Sequence, residues 1–224
     1  MKKIFLIISV LCMQLALKSV VLADNYYSAI YDKGTIYNVE NSTMTISGEN
    51  IVFYSNISNT INGGGAINNF GNFTITGKDI DFISNTSMNY FGGAISNHSS
   101  QMQVSGENIE FNSNTACIDG GAVFNGNNST MAIKGRAVVF SSNTAGDSGG
   151  AVCNTNNSSM AISSDNMLFS FNNTESGGGA IYNGSKMDID SDVIEFNSNC
   201  MQTTEIIKKI FFIFFSLVFI FFYF

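Results

Sequence analysis

The chain has 224 residues, of which 45% are hydrophobic and only 12% are charged. Its formal net charge of −7 argues against a nucleic-acid-binding protein, which needs a basic surface. The hydrophobic content argues against intrinsic disorder, so we expect a folded chain with no nucleic-acid partner.

The N-terminal segment has the pattern of a secretory signal peptide. Two lysines precede an apolar run over residues 4–17, and small residues ending in Ala23 follow. We therefore predict a signal peptide over residues 1–23, cleaved before Asp24. Cleavage leaves seven Lys and Arg against seventeen Asp and Glu, a net charge of −10 on an extracytoplasmic chain.

A repeat of about 29 residues occupies residues 33–200. Gly-Gly-Ala followed by Ile or Val begins at Gly64, Gly92, Gly120, Gly149 and Gly178, with a degenerate copy at Lys33-Gly34-Thr35-Ile36. Phe-x-x-Asn begins at Phe53, Phe82, Phe111, Phe140, Phe169 and Phe196. A third motif, Met or Phe followed two residues later by Ile or Val, begins at Met44, Phe73, Met102, Met131, Met160 and Met187. Because three motifs keep one period, the chain is predicted to be a repeat protein.

Each period contains three short pieces in which apolar residues alternate, as in strands with one buried face. In the third copy these pieces are Gly120–Asn125, Met131–Gly135 and Ala137–Phe140 running on to Asn143. The pattern predicts an all-β fold, a right-handed parallel β-helix of about six coils with three short strands each. A single coil buries too little apolar surface to fold alone, so successive coils must stack.

Stacking predicts ladders of identical residues. Aliphatic ladders are expected from the Ile and Val of the glycine motif and from the residues two before each Phe, with the phenylalanines forming an aromatic ladder. One Asn series comprises Asn56, Asn85, Asn114, Asn143, Asn172 and Asn199. The other comprises Asn38, Asn69, Asn97, Asn125, Asn154 and Asn183. We interpret both as structural ladders whose side chains bond between coils and whose backbones accept left-handed geometry.

The two ends of the repeat array differ. Residues 24–32 are predicted to cap the first coil, whereas no polar cap follows Asn199, so the last coil is open to oligomerisation. Residues 201–224 form a hydrophobic tail, in which the last fifteen residues include eight Phe. Two interpretations of the tail stand: membrane attachment through residues 206–224, or the product of a frameshift.

Candidate catalytic and metal-binding residues are few. Asp81, Glu110 and Glu195 are predicted to point outward on one face. Asp188, Asp190 and Asp192 alternate on the last coil and are the candidates for weak cation binding. A solvated outer face explains both sets, and the single arginine, Arg136, has no acidic partner fixed by the repeat. We therefore predict no catalytic, cofactor-binding or metal-binding residues, no cofactor and no enzyme activity.

The remaining chemically reactive residues also lack companions. His98, the single histidine, is predicted to lie in a Ser/Asn turn and cannot form a usual zinc site. Cys117, Cys153 and Cys200 occupy different repeat positions without zinc-type spacing. The odd count of cysteines implies no disulfide framework, although Cys117 and Cys153 would pair if adjacent turns brought them together.

The alternating Gly-Gly-Ala-Ile and Phe-x-x-Asn motifs resemble the repeats of chlamydial-type polymorphic outer membrane proteins over residues 33–199. The resemblance implies an autotransported β-helical passenger at the outer membrane or cell surface, or secreted, that adheres to host cells and serves virulence. Its partner would be a host-cell surface receptor or glycan. The chain is too short for the translocator barrel of that family, so a truncated, autotransporter-like passenger is expected.

The function expected from the resemblance is that of a non-catalytic, adhesin-like repeat protein with an extended outer face. Two alternatives stand beside it. One is a polysaccharide-processing enzyme on a β-helix scaffold, and the other is a non-functional fragment of a longer autotransporter.

Overall fold

The computed structural model describes residues 35–202, together with the backbone of three short strands before them, Leu6–Ser9, Ser19–Leu22 and Ser28–Asp32. Every regular element in these residues is a β-strand. Within them, accordingly, no helix is long and apolar enough to cross a membrane.

The strands form three sheets, here called A, B and C, and the chain visits them in the order B, A, C. Sheet B comprises Ile36–Asn38, Ile67–Asn69, Ile95–His98, Val123–Gly126, Val152–Asn154 and Ile181–Asn183. Sheet A comprises the three N-terminal strands and Thr43–Tyr54, Asn72–Ile83, Gln101–Ser105, Asn108–Asn112, Thr130–Lys134, Ala137–Ser141, Ser159–Ser170 and Lys186–Asn197. Sheet C comprises Ile57–Ser58, Thr86–Ser87, Thr115–Ala116, Thr144–Ala145, Asn173–Thr174 and Cys200–Met201.

One passage through the three sheets makes a coil. Coils 1 to 6 span residues 36–58, 67–87, 95–116, 123–145, 152–174 and 181–201. Each strand pairs in parallel with the equivalent strand of the next coil, as in the register Phe82, Phe111, Phe140. A parallel β-solenoid of six coils is therefore confirmed, while its right-handed sense stays a prediction.

The division of each coil into strands differs from the expected one. The second and third predicted pieces both belong to sheet A, and in coils 1, 2, 5 and 6 they are one continuous strand of 12 residues. In coils 3 and 4 the break falls at Gly106 and Gly135. The third sheet instead comes from two-residue strands after each Phe-x-x-Asn motif, such as Thr144–Ala145.

The interior is a stack of identical side chains. The ring centroids of Phe82 and Phe111 lie 4.7 Å apart with planes 2° from parallel. The same stacking continues from Phe53 to Phe196 with separations of 4.5–4.9 Å. Aliphatic ladders flank it, for example Ile80, Ile109 and Val138, which are at most 1% exposed. The predicted aromatic and aliphatic ladders are confirmed.

In coils 1 to 5, a fully buried asparagine lies three residues after the phenylalanine, at the corner between sheets A and C. The Nδ2 of Asn114 donates to the Oδ1 of Asn143 (3.0 Å) and to the carbonyl oxygen of Phe82 (2.9 Å). Its Oδ1 accepts from the backbone nitrogen (3.0 Å) and Nδ2 (2.9 Å) of Asn85. One side chain thus bonds to both neighbouring coils, and the structural role predicted for this series is confirmed.

The left-handed residue at this corner is not the asparagine, contrary to the expectation from turn chemistry. The residue with left-handed backbone geometry is the one that precedes the asparagine, as at Ser84 (φ 55°), Ser113 (φ 57°) and Ser142 (φ 55°). In coil 5 the same position is held by Phe171 (φ 55°). The asparagine is therefore selected by its side-chain bonds rather than by its backbone.

The second asparagine series forms a ladder at the corner between sheets B and A. The Nδ2 of Asn69 donates to the Oδ1 of Asn97 (2.7 Å), and the Nδ2 of Asn97 donates to the Oδ1 of Asn125 (2.8 Å). The ladder continues to Asn154 and Asn183 at 2.8–2.9 Å. The predicted second ladder is confirmed.

The paired glycines form the corner between sheets C and B. Gly120 has a φ of +67°, a region that side chains rarely adopt. A Cβ on Gly121 would lie 2.0 Å from the carbonyl oxygen of Gly150 in the next coil. The first glycine supplies the turn and the second allows the close approach of adjacent coils.

Coil 6 is the last described coil, and its apolar residues are exposed. Phe196 is 55% exposed and Ile194 is 41% exposed, although their equivalents in the inner coils are buried. At the other end, Ser28–Asp32 pairs in parallel with the strand of coil 1. Most of the predicted signal peptide and residues 203–224 of the tail lie outside the described residues. The domain boundaries, the cap and oligomerisation stay predictions.

Substituting Asn114 by leucine should lower the free energy of unfolding by about 1–3 kcal/mol. The reason is that the carbonyl oxygen of Phe82 and the backbone N–H of Asn85 lose their buried partner. Urea unfolding followed by circular dichroism measures the change. The control is Asn166→Leu, on the exposed side of sheet A. Equal midpoints for Asn114→Leu and the unmodified chain would contradict the ladder's role.

Candidate interaction surface

The outer face of sheet A is a regular array of mostly polar side chains in register. One row comprises Thr43, Asn72, Gln101, Thr130, Ser159 and Lys186. The next comprises Thr45, Thr74, Gln103, Ala132, Ala161 and Asp188. With coils about 4.8 Å apart, the face extends about 24 Å from coil 1 to coil 6. In coils 1 to 3 these side chains are all neutral hydroxyls or amides, which suits hydrogen bonding to an extended ligand.

The predicted acidic residues lie on the same face, farther along the strands. Asp81 pairs in register with Glu110, and the next positions of this row are Val139, Leu168 and Glu195. Burial, reinforced by Glu110 and then Asp79, raises the pKa of the Asp81 carboxyl. Asp81 and Glu110 are therefore brought together as expected, and Glu195 is separated from them by two apolar residues.

Other polar contacts around these carboxylates use amides. Asn108 donates to Asp79 at 2.6 Å, and Asn112 donates to Glu110 at 2.9 Å. Arg136 donates a long hydrogen bond, 3.5 Å, to Asn108 rather than to a carboxylate. The arrangement has no basic group directed at the acidic pair.

The acidic residues of the last coil are spread along an exposed strand. Asp188, Asp190 and Asp192 are all exposed on Lys186–Asn197. Across the described part of the chain, no group of three or more His, Cys, Asp or Glu side chains is arranged to hold a metal ion.

His98 does not lie in an exposed turn, as the sequence suggested. It ends the sheet B strand Ile95–His98 and is only 1% exposed. Its ring centroid lies 5.4 Å from that of Phe70, 5.1 Å from Phe124 and 6.0 Å from Phe91. The outer face of sheet B is therefore covered by aromatic rings, although alternation along the strand predicts burial on the inner face alone.

The hydrogen bonds of His98 fit a neutral ring. Its Nε2 lies 3.1 Å from the carbonyl oxygen of Asn62, and its Nδ1 lies 3.2 Å from the Nδ2 of Asn127. The Nε2 must therefore donate to the carbonyl oxygen, and the Nδ1 must accept from the amide nitrogen. This pattern corresponds to the neutral Nε2–H tautomer. Burial lowers the pKa of His98 to about 4, because a charged ring would be desolvated among the phenylalanines.

The sequence did not predict this aromatic cover, because its residues do not recur at the 29-residue period. Phe70 comes from the turn between sheets B and A, and Phe91 comes from the loop before the glycine pair. The signal that marks them is a large aromatic at a turn position where the other coils carry small or polar residues. Asn68 lies on the same face, fully buried, and its side-chain amide has no protein partner.

The three cysteines of the described region are free thiols, so the suggested Cys117–Cys153 disulfide is wrong. Cys117 and Cys200 are exposed, whereas Cys153 is buried on the outer face of sheet B. Burial, with smaller contributions from Asp119 and Asp147, raises the pKa of the Cys153 thiol. Burial and the nearby Asp147 also raise the pKa of Asp119. Cys153 is thus an unreactive, protonated thiol.

The corners described above match a known repeat. A family model described as the Chlamydia polymorphic membrane protein repeat matches residues 108–126 and 137–155. Residues 108–155 therefore contain two matches to this repeat. Each matched stretch contains one Phe-x-x-Asn motif and the following glycine pair, that is, the buried asparagine and the tight corner. No curated protein and no solved structure is significantly similar to the chain.

The buried histidine predicts a pH dependence of the stability of the solenoid. Its pKa of about 4 in the folded chain lies below the ordinary value of 6.5, so the unfolded chain binds the proton more readily. The stabilising contribution is full above about pH 6.5 and is lost as the pH falls towards 4. Between pH 7.5 and 5 the loss should be about 2 kcal/mol.

The measurement is urea unfolding at both pH values for the unmodified chain and for His98→Gln. Asp81 and Asp119 have raised pKa values and act in the opposite direction, but they are present in both proteins and cancel in the difference. The same loss of stability in both proteins would show that His98 is not the responsible group.

Proposed function

We propose that the protein is a non-catalytic, surface-exposed or secreted passenger that adheres to host cells through its extended outer face. The repeats of this family suggest an autotransporter-like passenger at the outer membrane or cell surface. The observation that carries the adhesive role is the regular outer face of sheet A, a polar surface about 24 Å long built from six equivalent strands.

The distribution of binding groups favours adhesion over catalysis. In coils 1 to 3, hydroxyl and amide side chains fill the two rows that begin at Thr43 and Thr45, so contact energy is shared among many equivalent positions. A catalytic site instead concentrates its essential groups at one place. The partner that fits such a face is a host-cell receptor or its glycans, reached from the bacterial surface.

One observation favours the second candidate, a polysaccharide-processing enzyme. Asp81 has a raised pKa beside Glu110, and a carboxyl whose pKa is raised next to a second carboxylate is the pattern of a general acid. The pair lies on a flat, open face with no basic group directed at it, so adhesion is the function we advance.

Adhesion is tested with beads coated with the full-length chain and added to cultured epithelial cells. We expect coated beads to bind well above beads coated with the denatured chain. The single variants Thr74→Ala and Gln103→Ala should each change binding by less than about twofold, since each removes one of many equivalent contacts.

Two results would contradict this proposal. One is binding no better than that of the denatured chain. The other is release of product from a polysaccharide panel by the unmodified chain together with its loss in Asp81→Asn, which would favour the enzyme.

A further inference from the structure

The turn between sheets B and A varies in length although the strands on either side remain in register. Four residues connect the ladder asparagine to sheet A in coils 1, 4 and 5. Coil 3 uses three residues, and coil 2 uses only two, Phe70 and Gly71. Because the asparagine ladder and the sheet A register fix both ends of each turn, a shorter turn lies closer to the core.

The short turns of coils 2 and 3 leave a recess between longer turns, which we call the notch. Its volume is about 280 Å³. Its floor comprises Phe70, Gly71, Asn72, Ser99, Ser100 and Gln101. Its walls are Glu40, Asn41 and Ser42 from coil 1 and Asn128 and Thr130 from coil 4. From wall to wall the notch spans three coil spacings, about 14 Å.

The depth of the notch is set by the backbone of the short turn. The backbone nitrogen of Gly71 lies 3.2 Å from the Oδ1 of Asn69, and that of Asn72 lies 2.8 Å from the carbonyl oxygen of Ser42. A Cβ on Gly71 would lie 2.5 Å from the same carbonyl. These contacts hold the floor against the core and leave the space above it open.

The polar side chains of the notch are available to a ligand. Asn72 and Gln101 are exposed, and within the described residues their side-chain amides take part in no hydrogen bond. The same holds for the side chains of Asn41, Asn128 and Thr130. The asparagine side chains of the two ladders, by contrast, already form hydrogen bonds between adjacent coils. The notch therefore concentrates unused amide and hydroxyl groups in a concave site.

The charge of the lining selects the class of ligand. Glu40 is the one ionisable side chain among the lining residues, and no Lys or Arg accompanies it. A phosphate, sulfate or carboxylate group would find no counter-charge there. The edge of Phe70 adds one apolar contact beside the amides, a mixture that suits a ligand bearing both hydroxyl groups and C–H surfaces.

We propose that the notch binds a short segment of a neutral oligosaccharide. The amides of Asn72 and Gln101 on the floor pair with sugar hydroxyls, and Asn41 and Asn128 close the two ends. This inference deepens the proposed function, on which it rests for its biological setting, by naming the ligand class and its site.

The test begins with the full-length chain on an array of neutral, sialylated and sulfated glycans. We expect binding to neutral oligosaccharides, followed by calorimetry on the strongest of them. Gln101→Ala should lower that affinity about fivefold, the effect of one net hydrogen bond. Gln103→Ala is the matched control, because Gln103 is an exposed residue of the same strand outside the notch. The affinity of this variant for the oligosaccharide should stay within about twofold of that of the unmodified chain.

A second variant fills the notch instead of removing a contact. Thr130→Trp places a ring at the coil 4 wall and should abolish binding, whereas Thr76→Trp, on another exposed position of sheet A, should not. Urea midpoints for both tryptophan variants show that folding is retained.

Three outcomes would overturn the inference: no binding of neutral glycans, preference for sialylated or sulfated glycans, or equal losses for Gln101→Ala and Gln103→Ala. Bead adhesion separates this failure from that of the proposed function. If the coated beads adhere to cells but the chain binds no glycan on the array, oligosaccharide binding at the notch is refuted and the adhesive role is not. Neutral glycan binding without adhesion refutes the adhesive role alone.

Discussion

The structure depends on hydrogen bonds that buried asparagine side chains make with the coils above and below them. At the corner between sheets A and C, the amide of Asn114 pairs with a backbone carbonyl and a backbone N–H of the preceding coil and donates to the equivalent asparagine of the next coil, at distances near 3.0 Å. A strand cannot turn inside a solenoid without leaving backbone groups unpaired, and a buried unpaired group is costly. The asparagine supplies the missing partners at every turn, so the corner recurs unchanged while the chain grows by whole coils.

This constraint determines where the chain is free to vary. The glycine pair recurs at the corners between sheets C and B from coil 2 to coil 6, and the asparagine recurs at every corner between sheets A and C, so both corners keep their composition over these coils. The turn between sheets B and A begins after Asn69 or its equivalent, and its length ranges from two to four residues. Shape that distinguishes one coil from another therefore arises at these turns, which form the notch and contribute Phe70 to the aromatic cover over His98.

Most of the repetitive part of the fold could be predicted from the sequence, because stacking converts the 29-residue period directly into contacts such as Phe82 on Phe111. Strand lengths could not be predicted. The two-residue strands of sheet C, such as Thr144–Ala145, are too short to show alternation. Whether sheet A continues through its middle depends on pairing between coils, since it breaks at Gly106 but not at Gly77.

The site residues were predictable only where they followed the repeat. Asp81 and Glu110 were correctly placed side by side on the outer face because they share one register. The burial of His98 was not predicted, since Phe70 and Phe91 reach it from turns that the period does not fix. The notch could not be predicted from the sequence. Its prediction depends on the strand pairing, which shows that sheet A keeps its register although the turns before it differ in length.

The central claim is that equivalent positions rise along one axis by a constant step. Nitroxide labels introduced through noncanonical amino acids at position 47 and, in turn, at positions 134, 163 and 190 test it most directly, because these positions form one row on the outer face of sheet A. Dipolar spectroscopy should give backbone separations of about 14, 19 and 24 Å, a rise of about 4.8 Å per coil. Separations that do not increase in this order would contradict the solenoid.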